Sequence, residues 1–203
     1  HGSSSPLRGF VRANQGIHLA LYDIDFLQWE WAVAGAGPMM VTNCSFHDND
    51  IGVSAVGMAL LANCIFSENR TAVSVYLWEA SVTLMDCTLV QNDIAVDVGE
   101  DLIWRDNMVR LVRCDLLDNG VGLNVGPWAD SALGEARIIV DDCSLSNNGW
   151  GVAISPYSYD TDSSVLRVLL RQTTIDGGEI GVQVGGPVET LISNCTFSGN
   201  VGA

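Results

Sequence analysis

The stretch Val41-Thr42-Asn43-Cys44-Ser45-Phe46-His47-Asp48-Asn49-Asp50-Ile51-Gly52-Val53 returns down the chain as a pattern: Asn-Cys-x-Phe, then Asn, then Gly-Val. The next copy, Asn63-Cys64-Ile65-Phe66-Ser67-Glu68-Asn69, keeps the Cys, the Phe two later and the Asn five later. Further copies are anchored at Cys87, Cys114, Cys143 and Cys195, with Asn92, Asn119, Asn148 and Asn200 in the fifth place. Two divergent copies complete the series, one at Thr173 with Gly178 in place of the Asn and one at Ile24 with Trp29 there.

Self-similarity at a period of roughly 20 to 30 residues means a solenoid, a propeller or an array. The anchors at 24, 44, 64, 87, 114, 143, 173 and 195 are separated by 20, 20, 23, 27, 29, 30 and 22 residues. From five residues before the anchor to eleven after it the copies align without insertions. All the extra length therefore falls at one place, between the end of one unit and the start of the next.

Counting each anchor as 0, apolar residues stand at −5 and −3 (Met39, Val41; Val82, Leu84; Ile138, Val140), at 0 and +2, and at +7, +9 and +11 (Ile51, Val53, Ala55; Val121, Leu123, Val125). Alternation with period two is a strand signal, so each unit is expected to hold three short strands with these positions inward. The phase slips between −3 and 0 and between +2 and +7, which requires corners there. Asn at +5 suits the second corner, because Asn tolerates the left-handed conformation and stacked Asn side chains can bond to the turns above and below. Gly at +8 permits close packing beside it.

Three strands and three corners per unit, one of them elastic, resemble the right-handed parallel β-helix repeat of pectate-lyase-like proteins, phage tailspikes and bacterial surface proteins. The resemblance covers about residues 17 to 203 and implies an all-β solenoid of about eight coils. It leaves activity open, since this architecture hosts lyases, hydrolases, epimerases, adhesins and inert stalks. A leucine-rich repeat is the structural alternative, but its leucine spacing and helical segment are absent.

Residues 1–5 look like the scar of an expression tag, 6–18 like an N-terminal cap or degenerate coil, and 19–203 like a single β-helix domain. The end at Ala203 falls partway through a coil, where further coils or another subunit are expected to continue the stack. With 9 Lys+Arg, all arginine, against 24 Asp+Glu, the formal charge is −15. Such a surface repels nucleic acid and anionic membrane. No apolar run reaches the roughly 18 residues of a membrane helix. A copper-binding histidine brace at His1 would need a second His beside it, and only His18 and His47 remain.

The six cysteines sit one per coil, so their side chains are expected to stack in parallel as free, buried thiols rather than to pair. Cys44, Cys64, Cys87, Cys114, Cys143 and Cys195, with Asn49, Asn69, Asn92, Asn119, Asn148 and Asn200, are read as structural ladders. No short Cys pairs of a zinc site occur.

The elastic corner carries the candidate site. Its loops bring Trp78, Trp104, Trp128, Tyr157 and Tyr159 to one edge, among Glu100, Asp101, Asp106, Asp130, Asp160 and Asp162. Aromatic faces stack on sugar rings, and carboxylates act as acid and base or hold Ca²⁺. The expectation is a secreted or cell-surface module that contacts a polysaccharide there, whether or not it cleaves it. The signatures of polygalacturonase-like hydrolases and the basic rows used on uronates are missing, and Arg105 is the only basic loop residue. The alternative is a structural or adhesive segment of a larger surface protein. Positions −4 and −2 are apolar in many coils (Met40, Leu60, Ile139, Leu169, Leu191; Ala62, Met85, Val112), and the loop aromatics would then cover that outer strand or meet a partner protein.

Overall fold

The computed structural model describes residues 11–78, 80–103, 107–126, 134–155, 164–186 and 188–202, and of 77, 78, 100–103, 107, 134, 135, 164 and 165 only the backbone. The chain is a parallel β-helix. Its described strands fall into three sheets of eight, and every pairing between coils is parallel. No described helix is long and apolar enough to cross a membrane.

One sheet holds the strands upstream of each anchor, from Leu19–Tyr22 and Met39–Thr42 to Val188–Ser193. The anchor sheet holds three-residue strands at +1 to +3, from Asp25–Leu27 to Thr196–Ser198. The downstream sheet runs from Val11–Ala13 and Trp31–Gly35 to Ile180–Val184. Val11–Ala13 pairs with Trp31–Gly35, so part of the 6–18 segment is a strand of this sheet. Each anchor pairs its flanking strands with those of the next coil in constant register: Phe26 lies beside Phe46, and Phe46 beside Phe66. A slip of one residue would turn every inward side chain outward, and so the apolar pattern fixes the register.

The core is one continuous cluster built from −7, −5, −3, 0, +2, +8, +9 and +11. Val41, Leu61, Leu84, Leu111, Val140 and Leu170 fill −3 and are fully buried. At +2, Phe26, Phe46 and Phe66 stack face to face with centroids 4.9 and 4.7 Å apart. Each such side chain contributes about 1.5–3 kcal/mol by burial.

Position +7 departs from the sequence pattern. Ile51 is buried as expected and so is Thr71, but no +7 residue belongs to the core cluster, Val121 is only half-buried and Trp31 at this position is exposed. The residue that turns in is +8, which the ladder skips between Thr71↔Ile94 and Val73↔Val96. Ala32, Ala72 and Ala95 occupy it in the core cluster. At Gly52 a Cβ would come within 2.6 Å of the Ala72 carbonyl, so the backbones of neighbouring coils meet there. Hence +8 carries only Gly or Ala, and the alternation restarts one residue late.

The corners also differ from expectation. The left-handed residues are −1 (Asp23, Asn43, Asn63, Asp86, Arg113, Asp142, Gln172, Asn194) and +4 (Gln28, Asp48, Glu68, Gln91, Asp118, Asn147, then Gly177 and Gly199), all with φ between 50° and 68°. Asn at +5 does not take this conformation. One left-handed residue turns the chain at each of these two corners, and +5 is left to bond between coils.

Candidate functional site

The ladders set where each outward side chain stands. At +5, each Asn accepts at Oδ1 from the backbone N–H of the preceding coil's +5 residue. Asn49 Oδ1 takes Trp29 N–H at 2.9 Å and Asn69 Oδ1 takes Asn49 N–H at 3.0 Å. Its Nδ2 donates forward to the next Oδ1 and back to the preceding +2 carbonyl, as Asn69 does to Asn92 and Phe46. The row is buried from Asn49 to Asn148, is broken where Gly178 has no side chain, and ends at half-buried Asn200.

At the anchor the thiols are free. Each described Sγ–H donates to the −2 carbonyl of its own coil, across the left-handed corner, as Cys143 does to Asp141 at 3.3 Å. Thr173 does the same with its hydroxyl, to Arg171 at 2.8 Å. From the second coil on the anchor is therefore a small hydrogen-bond donor, which explains why Thr can replace Cys there. Burial pushes the Cys44 thiol up. Further along the row the thiols shift in alternation: hydrogen bonding with neighbouring thiols, and then burial, raise Cys87 and Cys143, while hydrogen bonding with those same thiols lowers Cys64 and Cys114. Cys195, in the last coil, is only half-buried.

With +5 tied inward, +4 and +6 project on either side of it, and the coils line them up. In the second to fourth coils they form a groove of about 390 Å³ lined by Asp48, Asn49, Asp50, Glu68, Asn69, Arg70, Gln91 and Asp93. The +4 row runs Asp48, Glu68, Gln91, and Gln28 extends it backward by donating to Asp48 at 3.0 Å. The +6 row runs Asp50, Arg70, Asp93. Arg70 binds Asp50 through Nε and Nη2, which raises its guanidinium pKa further. The groove thus offers carboxylates, an amide and one guanidinium at the inter-coil spacing of about 4.8 Å. In the adjoining first coil Trp31, 46% exposed, pairs in register with Ile51, the residue after Asp50.

None of these residues except Asn49 and Asn69 stood out in the sequence, because single acidic residues at corners read as solvated. The signal was their alignment: Asp48, Glu68 and Gln91 share one place in the unit, and Asp50, Arg70 and Asp93 another.

The candidate residues of the elastic corner are described only in part. Trp104, Asp106, Trp128, Asp130, Tyr157, Tyr159, Asp160 and Asp162 lie outside the described residues. The backbones of Trp78, Glu100 and Asp101 belong to the downstream strands Thr71–Trp78 and Ile94–Ile103, where Trp78 pairs with Ile103 across an irregularity in the register. Among the described residues no group of three His, Cys, Asp or Glu side chains could hold a metal ion.

The outer face of the upstream sheet is divided. Its first coils expose Tyr22, Met40, Met58 and Leu60. Later coils carry arginine, paired as Arg171 with Asp141 at 2.9 Å and Arg167 with Glu189 at 2.6 Å. Four of the five methionines, Met40, Met58, Met85 and Met108, stand on this face. Comparison with known proteins finds no matching family model, no matching curated protein and no matching solved structure.

Proposed function

We propose that this β-helix is a secreted or cell-surface module that binds a carbohydrate polymer, laid along the solenoid axis in the corner groove. The observation that carries this reading is the groove itself: side chains that hydrogen-bond hydroxyls, repeated coil by coil, with the exposed Trp31 in the adjoining coil. A polymer of regular repeat meets a similar set of partners at each coil, and an aromatic face takes the apolar face of a sugar ring. Asp48, Asp50, Glu68 and Asp93 against the single Arg70 favour a neutral or amino-bearing glycan over a polyuronate. Affinity electrophoresis against cellulose-type, chitosan and polygalacturonate polymers tests it. The double variant Glu68→Gln, Asp93→Asn should lose affinity at least about tenfold at unchanged melting temperature, since exposed surface substitutions shift stability little. Unchanged retardation on all three polymers would end the reading.

A second reading, a structural or adhesive segment docked on a partner protein, is favoured by the methionine-bearing outer face. Flexible thioethers on an exposed flat strand face suit an adaptable apolar contact. Met58→Asp should then abolish partner capture and leave polymer binding intact.

A further inference from the structure

Positive charge is scarce in this chain, with 9 arginines and no lysine against 24 Asp+Glu. Four of those arginines, Arg110, Arg137, Arg167 and Arg171, nevertheless stand together on the outer face of the upstream sheet, in three successive coils. The register places them. Arg137 pairs with Arg167, and Arg110 pairs with Ile139, which pairs in turn with Leu169. Arg171 lies two residues beyond Leu169 and pairs with Asp141. Half-buried Ile139 and Leu169 thus form an aliphatic floor with arginines on three sides of it. The fold itself does not need arginine here, since the place of Arg137 and Arg167 is held by Ser81 and Met108 in the two preceding coils.

Asp141 is the carboxylate at the centre. Arg171 donates from Nη2 to its Oδ2 at 2.9 Å, and Nη2 of Arg110 stands 3.8 Å from the same oxygen. Two cations therefore share one anion. At the far edge Arg167 donates from Nε to Glu189 at 2.6 Å. Four guanidinium groups against these two carboxylates leave the described outward positions of this face positive. Nε of Arg110 and Nε of Arg171 are both buried and have no hydrogen-bond partner among the described residues. A buried donor without an acceptor is costly, and the strongest acceptor for a guanidinium fork is an anion.

We propose that Arg110 and Arg171, with Arg137 and Arg167 beside them, form a binding site for a tetrahedral oxyanion, a sulfate or phosphate group. Asp141 already supplies a carboxylate and reaches only one nitrogen of each fork. A tetrahedral group brings three or four oxygens and up to two negative charges, enough to bridge forks that stand on different strands. The side chains of Arg110 and Arg171 are 43% and 41% exposed, so each fork can swing to engage the anion through Nε and Nη together. That two-point geometry is the one that arginine offers and lysine does not. The floor of Ile139 and Leu169 keeps water from one side of these contacts and strengthens them. Asp141 holds the two forks together and opposes the bound anion with its own charge. The site does not rest on the reading of the corner groove.

Titration calorimetry on the full chain tests it, with inorganic phosphate, inorganic sulfate, sulfated dextran and unsulfated dextran, each against sodium chloride at matched ionic strength. Saturable binding of an inorganic anion supports the site and makes a free oxyanion sufficient. Saturable binding of sulfated dextran alone supports it with an ester on a polymer as the ligand. Arg110→Met keeps the aliphatic stem and the Arg171–Asp141 pair. It should weaken binding at least about tenfold at unchanged melting temperature, because a hydrogen bond to a charged group carries that much. Asp141→Asn removes the opposing charge and should tighten binding at least about twofold, whereas arginines that serve only the ion pair would gain nothing. No saturable binding beyond that of chloride would overturn the proposal. So would equal binding of the two dextrans without binding of an inorganic anion, which would send the polymer to another face. A folded Arg110→Met chain that binds as the wild type does would overturn it too. If that variant fails to fold, Asp141→Asn decides alone, and unchanged or weaker binding there sinks the site.

Discussion

Asn92 donates twice to one atom: its backbone N–H and its Nδ2 both reach Asn119 Oδ1, at 2.9 and 3.0 Å. Its own Oδ1 receives the same pair from Asn69 at 2.9 Å, and its remaining amide proton goes to the Phe66 carbonyl at 3.2 Å. Every donor and acceptor of a 2% exposed side chain is thus used. Asn92→Leu removes the acceptor for two buried donors and leaves Asn119 Oδ1 and the Phe66 carbonyl each short of a donor. With about 1–3 kcal/mol for each buried group left unsatisfied, the expected loss is about 3–5 kcal/mol. Urea unfolding measures it, and a loss below about 1 kcal/mol would show that water replaces the ladder.

Gln91 is the immediate neighbour of Asn92 and has the opposite character, an exposed residue with φ of 56°. The left-handed conformation costs an ordinary L-residue roughly 1–2 kcal/mol, and a β-branched residue meets the steepest penalty. Gln91→Val is expected to destabilise by about 1–2 kcal/mol, whereas Gln91→Gly should be neutral or slightly stabilising. Paired melting curves check the sign. A tolerated Val would place the reversal of the chain at some other residue of this corner.

Cys143 and Thr173 occupy the same place in successive coils and each closes its own corner by donating to the −2 carbonyl. Cys143→Thr therefore keeps the bond to the Asp141 carbonyl, while Cys143→Val keeps the shape and loses the donor. The Val variant should be the less stable of the two by about 1–2 kcal/mol. Equal stabilities in denaturant unfolding would mean that the anchor needs only a small apolar group.

The repeat was legible because a parallel stack imposes the same environment on each coil, so the sequence must repeat wherever burial is strict. Asn at +5, Cys at 0 and Phe or Leu at +2 are such places. The left-handed −1 and +4 were hidden because they are exposed and tolerate many side chains: Arg113, Gln172 and Glu68 share a conformation that none of them announces. The inward turn of +8 was masked by apolar residues at +7, where Ile51 and Val121 continue the period-two rhythm that the backbone breaks. The groove escaped for a related reason. Its chemistry lies across coils, between residues 20 or more apart such as Asp48, Glu68 and Gln91, and a reading along the chain meets each one alone. The side chains of the elastic corner lie outside the described residues, so Trp128 and its neighbours keep the standing that the sequence gives them.

Trp29 and Trp31 lie two residues apart on the corner that opens the groove, and they separate fold from function. Trp29 takes the +5 place at the head of the Asn ladder, accepts nothing through its side chain, and packs against the core. Trp31 at +7 lies outside the core cluster and is 46% exposed. Trp29→Ala should open a cavity at the end of the stack and cost about 3 kcal/mol, toward the low end for large-to-small changes because the site is only partly buried. Trp31→Ala should change stability by less than about 0.5 kcal/mol, as substitutions on exposed surface do. If the groove binds a glycan, Trp31→Ala should nevertheless weaken retardation on the polymer at least about fivefold, because a stacking face contributes on the order of 1 kcal/mol. Thermal melts and affinity electrophoresis on the same two samples decide it. A Trp31→Ala protein that melts as before and binds as before would remove the indole from the site and leave the polar rows to carry any polymer alone.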